Sequence, residues 1–257
     1  MVDNYVPYHV HTDMSSCITN IDSVTNYKDY IKLADSYGMK AFGFSEHGSV
    51  LSWLHKKEEI EGVGMKYIHA QEFYLTYSLA EKVRDNYHVV LIARNYEGFK
   101  ELNTLSSKAF NREDGHYYFV PRITFEELFN TSSNIIVTTA CVASPLCKGE
   151  GDVKESFLKF LISNPSRVFL EVQHHKDKKQ IEYNQYLLAL SQRYKLPLIA
   201  GTDTHALNQT HVEGRTILQK ANNIFFENEQ NWELTFKSFD ELIEAYRTQD
   251  SLKEKDS

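Results

Sequence analysis

Short apolar, β-branched runs alternate along the chain with amphipathic stretches. Val89-Val90-Leu91-Ile92 and Ile135-Ile136-Val137 are continuous apolar runs, the pattern of strands buried on both faces. The same reading predicts strands at Tyr8–Val10, Ala41–Ser45, Tyr67–Leu75, Val89–Ala93, Asn134–Thr139, Val168–Val172 and Pro197–Ala200. Between them, Tyr27–Tyr37 carries Tyr30, Ile31, Leu33, Ala34 and Tyr37 at helical spacing and meets Gly38, a C-terminal cap. Glu182–Tyr194 repeats the design, with Pro197 beyond its end. Lys237–Arg247 reads as a short strand or turn followed by a capped helix. Seven β/α alternations within about 200 residues predict an α/β fold with a mainly parallel sheet, open or closed into a barrel. No linker or repeat interrupts them, so a single domain over 1–257 is expected, with a polar, frayed tail at 251–257.

Composition narrows the class. With 257 residues, 42% hydrophobic and only 11 Gly and 5 Pro, the chain is neither collagen-like nor largely disordered. Its net charge of −7 argues against coating nucleic acid through bare protein charge. Cys17, Cys141 and Cys147 are too few and too irregularly spaced for a disulfide framework. No basic segment precedes an apolar run at the start of the sequence, and no apolar run approaches the roughly 18 residues of a membrane span. A cytoplasmic protein without a membrane partner is expected.

The 11 histidines change the picture more. His9-Val10-His11 ends the first expected strand, and alternate residues on an extended segment point the same way, so both imidazoles can face one ion. Glu46-His47 follows the second strand and Glu72 lies in the third. Cys141 follows the fifth, and Glu171, His174 and His175 end the sixth. Asp203-Thr204-His205 follows the last, a second alternating pair. In α/β barrels the C-terminal strand ends build the active site, so these groups would converge. Imidazole, carboxylate and a thiolate suit Zn, Mn or Fe better than Ca or Mg, and clustered ions suit phosphoester chemistry. A lone His is more often structural, and His55, His69, His116 and His211 are read that way. Cys17 and Cys147 are read as packing residues; Cys141 is read as ligand or pocket wall ahead of nucleophile.

At these residues the chain resembles the polymerase and histidinol phosphatase (PHP) family, and within it the N-terminal PHP domain of bacterial or phage DNA polymerase III alpha subunits. The matching segments are Tyr8-His9-Val10-His11-Thr12-Asp13-Met14-Ser15, Gly38-Met39-Lys40-Ala41-Phe42-Gly43-Phe44-Ser45-Glu46-His47-Gly48, Glu72, His88 before Val89–Asn95, Thr139-Ala140-Cys141 and Gly201-Thr202-Asp203-Thr204-His205. Tyr117–Ile123, Phe169–His175 and Phe236–Leu242 add a polymerase-like flavour. Glu46 stands where many members carry Asp. The resemblance implies a distorted (β/α)7 TIM-like barrel of PHP type and two or three divalent metal ions (Zn, Mn or Fe). One ion would sit among His9, His11, Glu72 and Asp203. A second would use Glu72, His88 and Cys141. A third would use His47, His205 and an acid from the loop after His11, Asp22 with Asp13 as its rival. His88 stands at the start of its expected strand, where a simple parallel topology does not bring it to the others.

The implied activity is metal-dependent phosphoester hydrolysis, of the 3′–5′ exonuclease type at single-stranded DNA 3′ ends, beside a polymerase core. Two alternatives are a metal-stabilised docking module without turnover and a small-molecule phosphatase similar to histidinol-phosphate phosphatase. His174 and His175 are candidates for an assisting base or phosphate contact, against a rim or structural role. Arg94 and Arg122 are candidate phosphate contacts, against a reading as solvated surface charge. Tyr and Phe side chains near the mouth could stack on a terminal base, although most must be core.

Overall fold

The computed structural model of the chain describes residues 5–84, 86–224 and 232–252. Strands form at the apolar runs: β1 (Ala41–Phe44), β2 (Lys66–Thr76), β3 (Tyr87–Ala93), β4 (Tyr117–Tyr118), β5 (Val120–Thr124), β6 (Ile135–Thr138), β7 (Val168–Gln173) and β8 (Leu198–Gly201). The helices are α1 (Tyr27–Ser36), α2 (Trp53–Gly62), α3 (Tyr96–Ala109), α4 (Phe125–Phe129), α5 (Pro145–Lys148), α6 (Gly151–Ser163), α7 (Lys178–Tyr194), α8 (Gln209–Ala221) and α9 (Phe239–Thr248). Side-chain caps set several of their starts. Asn26 accepts from the Lys28 amide ahead of α1, and Ser238 with Glu241 forms a capping box at α9. Asp177 caps α7, which therefore begins earlier than the expected Glu182.

The sheet runs β1–β2–β3–β6–β7–β8, with β5 and its hairpin partner β4 attached at the end of β2. Neighbours are parallel except around β3, which is antiparallel to both β2 and β6. The expected strand Tyr8–Val10 is reduced to one bridge, Val10 to Thr204, because its backbone divides its hydrogen bonds between two neighbours. The carbonyls of Pro7 and Val10 accept from Gly43 and Ser45 on one side; on the other, Thr204 donates to the His9 carbonyl and His11 donates to that of Thr204. This segment joins the β1 side to the β8 side. Together with β1, β2, β3, β6, β7 and β8 it closes a distorted (β/α)7 TIM-like barrel.

The period of two along each strand separates the layers. Val89 and Leu91 of β3, with Phe73 and Leu75 of β2, pack outward into the main core with α3, α6 and α7. Val90 and Ile92 share the interior with Tyr8, Ala70 and Ala140. A third cluster, including Tyr30, Ile31, Phe42, Phe44 and Ile60, seats α1 and α2 against β1. One end of the barrel interior is therefore apolar and leaves the other for polar groups. The expected frayed tail falls from residue 253 onward outside the described residues; Leu252 still donates to the Gln249 carbonyl. Among the described residues no helix is long and apolar enough to cross a membrane.

Candidate metal centre

The antiparallel course of β3 explains the position of His88. It pairs with Tyr74 near the C-terminal end of β2, so the first turn of β3 lies where its neighbours finish. Glu72 is two residues back from Tyr74 on the same face, and His47 bridges to Glu72 just past the end of β1. The closing segment supplies His9 and His11, and the loop after β8 supplies Asp203 and His205. Asp203 adopts a left-handed backbone (φ 46°), as does Ala140 (φ 51°) beside Cys141; both strained residues sit at strand ends that turn side chains inward.

Three overlapping groups of donor atoms result. In the first, His9 Nε2 and His11 Nε2 each lie 3.2 Å from Asp203 Oδ1, and 3.6 and 3.3 Å respectively from the two oxygens of Glu72. In the second, Asp22 Oδ2 lies 3.2 Å from His47 Nε2 and 3.1 Å from His205 Nε2, with the His11 ring stacked between those of His47 and His205. The third joins Glu72 to His88 Nδ1 at 3.0 Å and to His47 Nδ1 at 2.9 Å; the expected ligand Cys141 has its Sγ 3.8 Å from His88 Nδ1 but does not converge with all three. Glu72 is common to the first and third groups, and His11 to the first and second.

Most imidazoles are oriented from behind, as metal-ligating histidines generally are. His9 Nδ1 meets Glu171 Oε1 at 2.6 Å, and that carboxylate also accepts from Thr138 and Gln173. A Cβ at Gly201 would stand 2.0 Å from Glu171 Oε1, so the glycine makes room for this carboxylate. His11 Nδ1 meets the Ser15 hydroxyl at 3.2 Å, and His205 Nδ1 donates to the Asp203 carbonyl at 2.7 Å. Ser15 also accepts from the His47 amide and donates to Glu46. Glu46 itself does not enter the donor groups; it receives the Thr12 amide and hydroxyl and the ammonium of Lys56.

The electrostatics are those of charges held together out of water. Burial alone would raise the carboxyls of Glu72, Asp203 and Asp22, but the surrounding imidazoles overcome it and hold all three well below the ordinary range. Burial would likewise lower His9, yet Glu171, Asp203 and Glu72 raise it well above its usual value. His11, buried beside His47 and His205, is lowered to about 4. Burial and the charges of Asp203 and Glu72 push the Cys141 thiol well up, against a free thiolate nucleophile there. His9 Nε2, His11 Nε2, His47 Nδ1, Glu72 Oε2, Asp22 Oδ2 and Asp203 Oδ1 are buried and approach one another without a hydrogen-bond partner. Buried polar atoms are otherwise hydrogen-bonded, so converging nitrogens and oxygens of this kind fit a divalent cation.

Other expected residues lie elsewhere. Asp13 Oδ2 accepts from Asn26 at 3.4 Å and joins none of the three groups. Arg94 follows the end of β3, opposite to His88, and donates to the Ser166 carbonyl at 2.8 Å; the strand reversal that brings His88 to the centre carries Arg94 away from it, which corrects its assignment as a phosphate contact there. Arg122 is fully buried and braces the carbonyls of His116, Gly115 and Val83, so it is not a surface charge. His174 and His175 are buried past the end of β7. His175 Nδ1 accepts from the Glu233 amide and its ring stacks on Trp232, while burial lowers both imidazoles. The charges of Asp203 and His205 act on His175, but it joins none of the three donor groups. Thr12, Ser15 and Lys56 carry no expected role in the sequence; Thr12 and Ser15 lie in the matching segment after His11, whereas Lys56 has no local signal.

Comparison with known proteins adds a name to this architecture. The PHP domain profile matches residues 7–175, more than half of the chain, and the chain belongs to the PHP domain family. It is similar to DNA polymerase III subunit alpha of Aquifex aeolicus, at 29% identity over 238 residues, covering 85% of this chain and 20% of that protein. The corresponding subunit of Borreliella burgdorferi is 28% identical over 225 residues, covering 83% and 19%. The chain thus spans about a fifth of the length of these relatives. Among solved structures, a proposed metal-dependent phosphoesterase from Bifidobacterium adolescentis matches at a TM-score of 0.48 and 14% identity, covering 78% of this chain and 87% of that one.

Proposed function

We propose that the chain is a divalent-metal-dependent phosphoesterase that hydrolyses phosphodiester bonds at single-stranded DNA 3′ ends, in association with a DNA polymerase III alpha-type protein. The observation that carries the reading is the set of three buried donor groups joined through Glu72 and His11. His9, His11, Glu72 and Asp203 would hold one ion. Glu72, His88 and Cys141, with His47 alongside, would hold a second, and Asp22, His47 and His205 a third. Zn, Mn and Fe all accept this ligand set. When bound, such ions supply Lewis acidity toward water and the phosphate.

The chain's own residues keep the carboxylate donors anionic and hold the imidazoles correctly turned. Glu171 and Ser15 fix which nitrogen of His9 and His11 faces the centre. Tyr74, whose ring lies against His47 and His88, walls the centre on one side. His175, whose Nε2 is buried without a hydrogen-bond partner, would contact a phosphate oxygen. The resemblance to polymerase alpha subunits supports the choice of DNA over a small monoester.

Elemental analysis of protein grown with ample metal should give two or three ions per chain, and near zero would sink the reading. With Mn or Zn supplied, the protein should cleave a model phosphodiester and single-stranded DNA from the 3′ end, and Asp203→Asn should abolish both. Bound metal without any cleavage would instead favour a docking module.

A further inference from the structure

The β4–β5 hairpin carries an aromatic and basic strip that no part of the metal centre uses. Its place at the rim follows from register. β5 pairs parallel to the end of β2, Arg122 opposite Tyr74, so the start of β5 is level with Glu72. The Pro121 ring lies against Gly48, the residue after His47; a Cβ there would stand 2.7 Å from Pro121 Cγ. Phe119 forms the apex of the hairpin, between the paired residues Tyr118 and Val120.

Phe119 is built in an unusual way for a surface residue. It is 49% exposed and its backbone is left-handed (φ 61°), a strained conformation for a bulky side chain. The Arg84 guanidinium lies over one face of the ring, 3.4 Å from its centroid, and Tyr118 meets the ring at right angles, 4.7 Å between centroids. The strip continues with Arg112 over Tyr117 and Tyr117 stacked on exposed Phe110. Buried Arg122 ties the loops on either side to this hairpin through three carbonyls, so the strip stands on a braced support. Lys82, Arg84 and Arg112 are exposed, but so are Glu81, Glu113 and Asp114, which cancels the local charge. Recognition here would depend on flat π-faces more than on counting phosphates. Aromatic rings backed by guanidinium planes are how single strands are held without regard to sequence.

We infer that Phe119 and Arg84 form a base-stacking subsite at the rim of the metal centre, taking an unpaired nucleotide of a single-stranded nucleic acid whose terminal phosphodiester reaches the metals. The inference rests on the phosphodiesterase reading above and deepens it. Arg84 covers the ring from one side, Tyr118 fixes its tilt, and a base would stack on the part that stays exposed. The left-handed apex turns the ring outward.

The test compares Phe119→Gly, Arg84→Ala and the ring-preserving Phe119→Trp with the parent protein. Phe119→Gly removes the ring while relieving the backbone, so loss of folding does not confound it. Binding of a phosphorothioate oligothymidylate, read by fluorescence anisotropy, should weaken about 5- to 100-fold in Phe119→Gly and somewhat less in Arg84→Ala, and be kept in Phe119→Trp. Metal content and cleavage of bis(p-nitrophenyl) phosphate should be unchanged in all three. Equal oligonucleotide binding by parent and Phe119→Gly would overturn the subsite, as would a parent protein that cleaves the small diester but binds no oligonucleotide. If Phe119→Gly instead alters only self-association by light scattering, the strip is a protein contact and the subsite is overturned. Absent metal and absent small-diester cleavage would fail the phosphodiesterase reading itself, a result separate from these.

Discussion

Lys56, on α2, donates its ammonium to Glu46, and the two side chains are 3% and 2% exposed. The pair lies behind the metal centre, since Glu46 also accepts from Ser15, whose hydroxyl meets His11 Nδ1. Burial would raise the Glu46 carboxyl; Lys56, Ser15 and Thr12 more than offset it and bring it to about 2. Removing one partner of a buried pair leaves an uncompensated charge, which typically costs about 3–5 kcal/mol. Lys56→Met should therefore destabilise the protein by about that amount in urea unfolding. Adding Glu46→Gln should recover a large part of the loss. A double variant no more stable than Lys56→Met would show that the two groups do not depend on each other.

Glu171 tests orientation rather than charge pairing. Its carboxylate holds His9 Nδ1 and accepts from Thr138 and Gln173, while Gly201 leaves the space it fills. Glu171→Gln keeps the size but places an amide where an acceptor is needed. Metal affinity, measured by competition with a chromophoric chelator, should fall about 10- to 100-fold, the usual effect of losing a partner behind a ligating His. Unchanged affinity would mean that His9 is positioned by the barrel alone.

These two partnerships mark where the sequence stops being readable. His9-x-His11 and Asp203-x-His205 are legible because alternate residues on an extended chain face one way. The position of His88 is not legible in this way: residues 76–88, between the expected strands, are long enough for a parallel crossover, with Leu79, Val83 and Tyr87 at helical spacing. Only the pairing of β3 shows its antiparallel course, and with it both the arrival of His88 and the departure of Arg94. Buried Lys56 and Arg122 leave no trace in the sequence either. A charged residue on an amphipathic helix or strand reads as solvated, and only packing from distant segments takes it out of water.

Asp22 and Asp13 make opposite predictions. Asp22 Oδ2 lies between His47 and His205, whereas Asp13 contacts Asn26. Asp22→Asn should lower the number of ions bound per chain by one, with secondary structure unchanged by circular dichroism. Asp13→Asn should leave the stoichiometry as it is. A reversed outcome would move the third ion to the Asp13 side of the loop.

His69 gives a pH dependence separable from metal binding. It lies on β2, accepts at Nδ1 from the Tyr67 hydroxyl at 2.8 Å and donates from Nε2 to Asn103 Oδ1 at 3.0 Å. Burial lowers its pKa to about 4, against about 6.5 for an exposed imidazole. The unfolded chain therefore takes up the proton first as pH falls. The stability His69 contributes is complete above about pH 6.5 and declines as pH drops toward 4. Between pH 7 and pH 5 the loss should be about 2 kcal/mol. His69→Gln cannot titrate, so its stability deficit relative to the parent, measured in chelator to remove metal linkage, should shrink by about that amount over this interval. A deficit of the same size at both pH values would show that the folded protein protonates His69 as readily as the unfolded chain does.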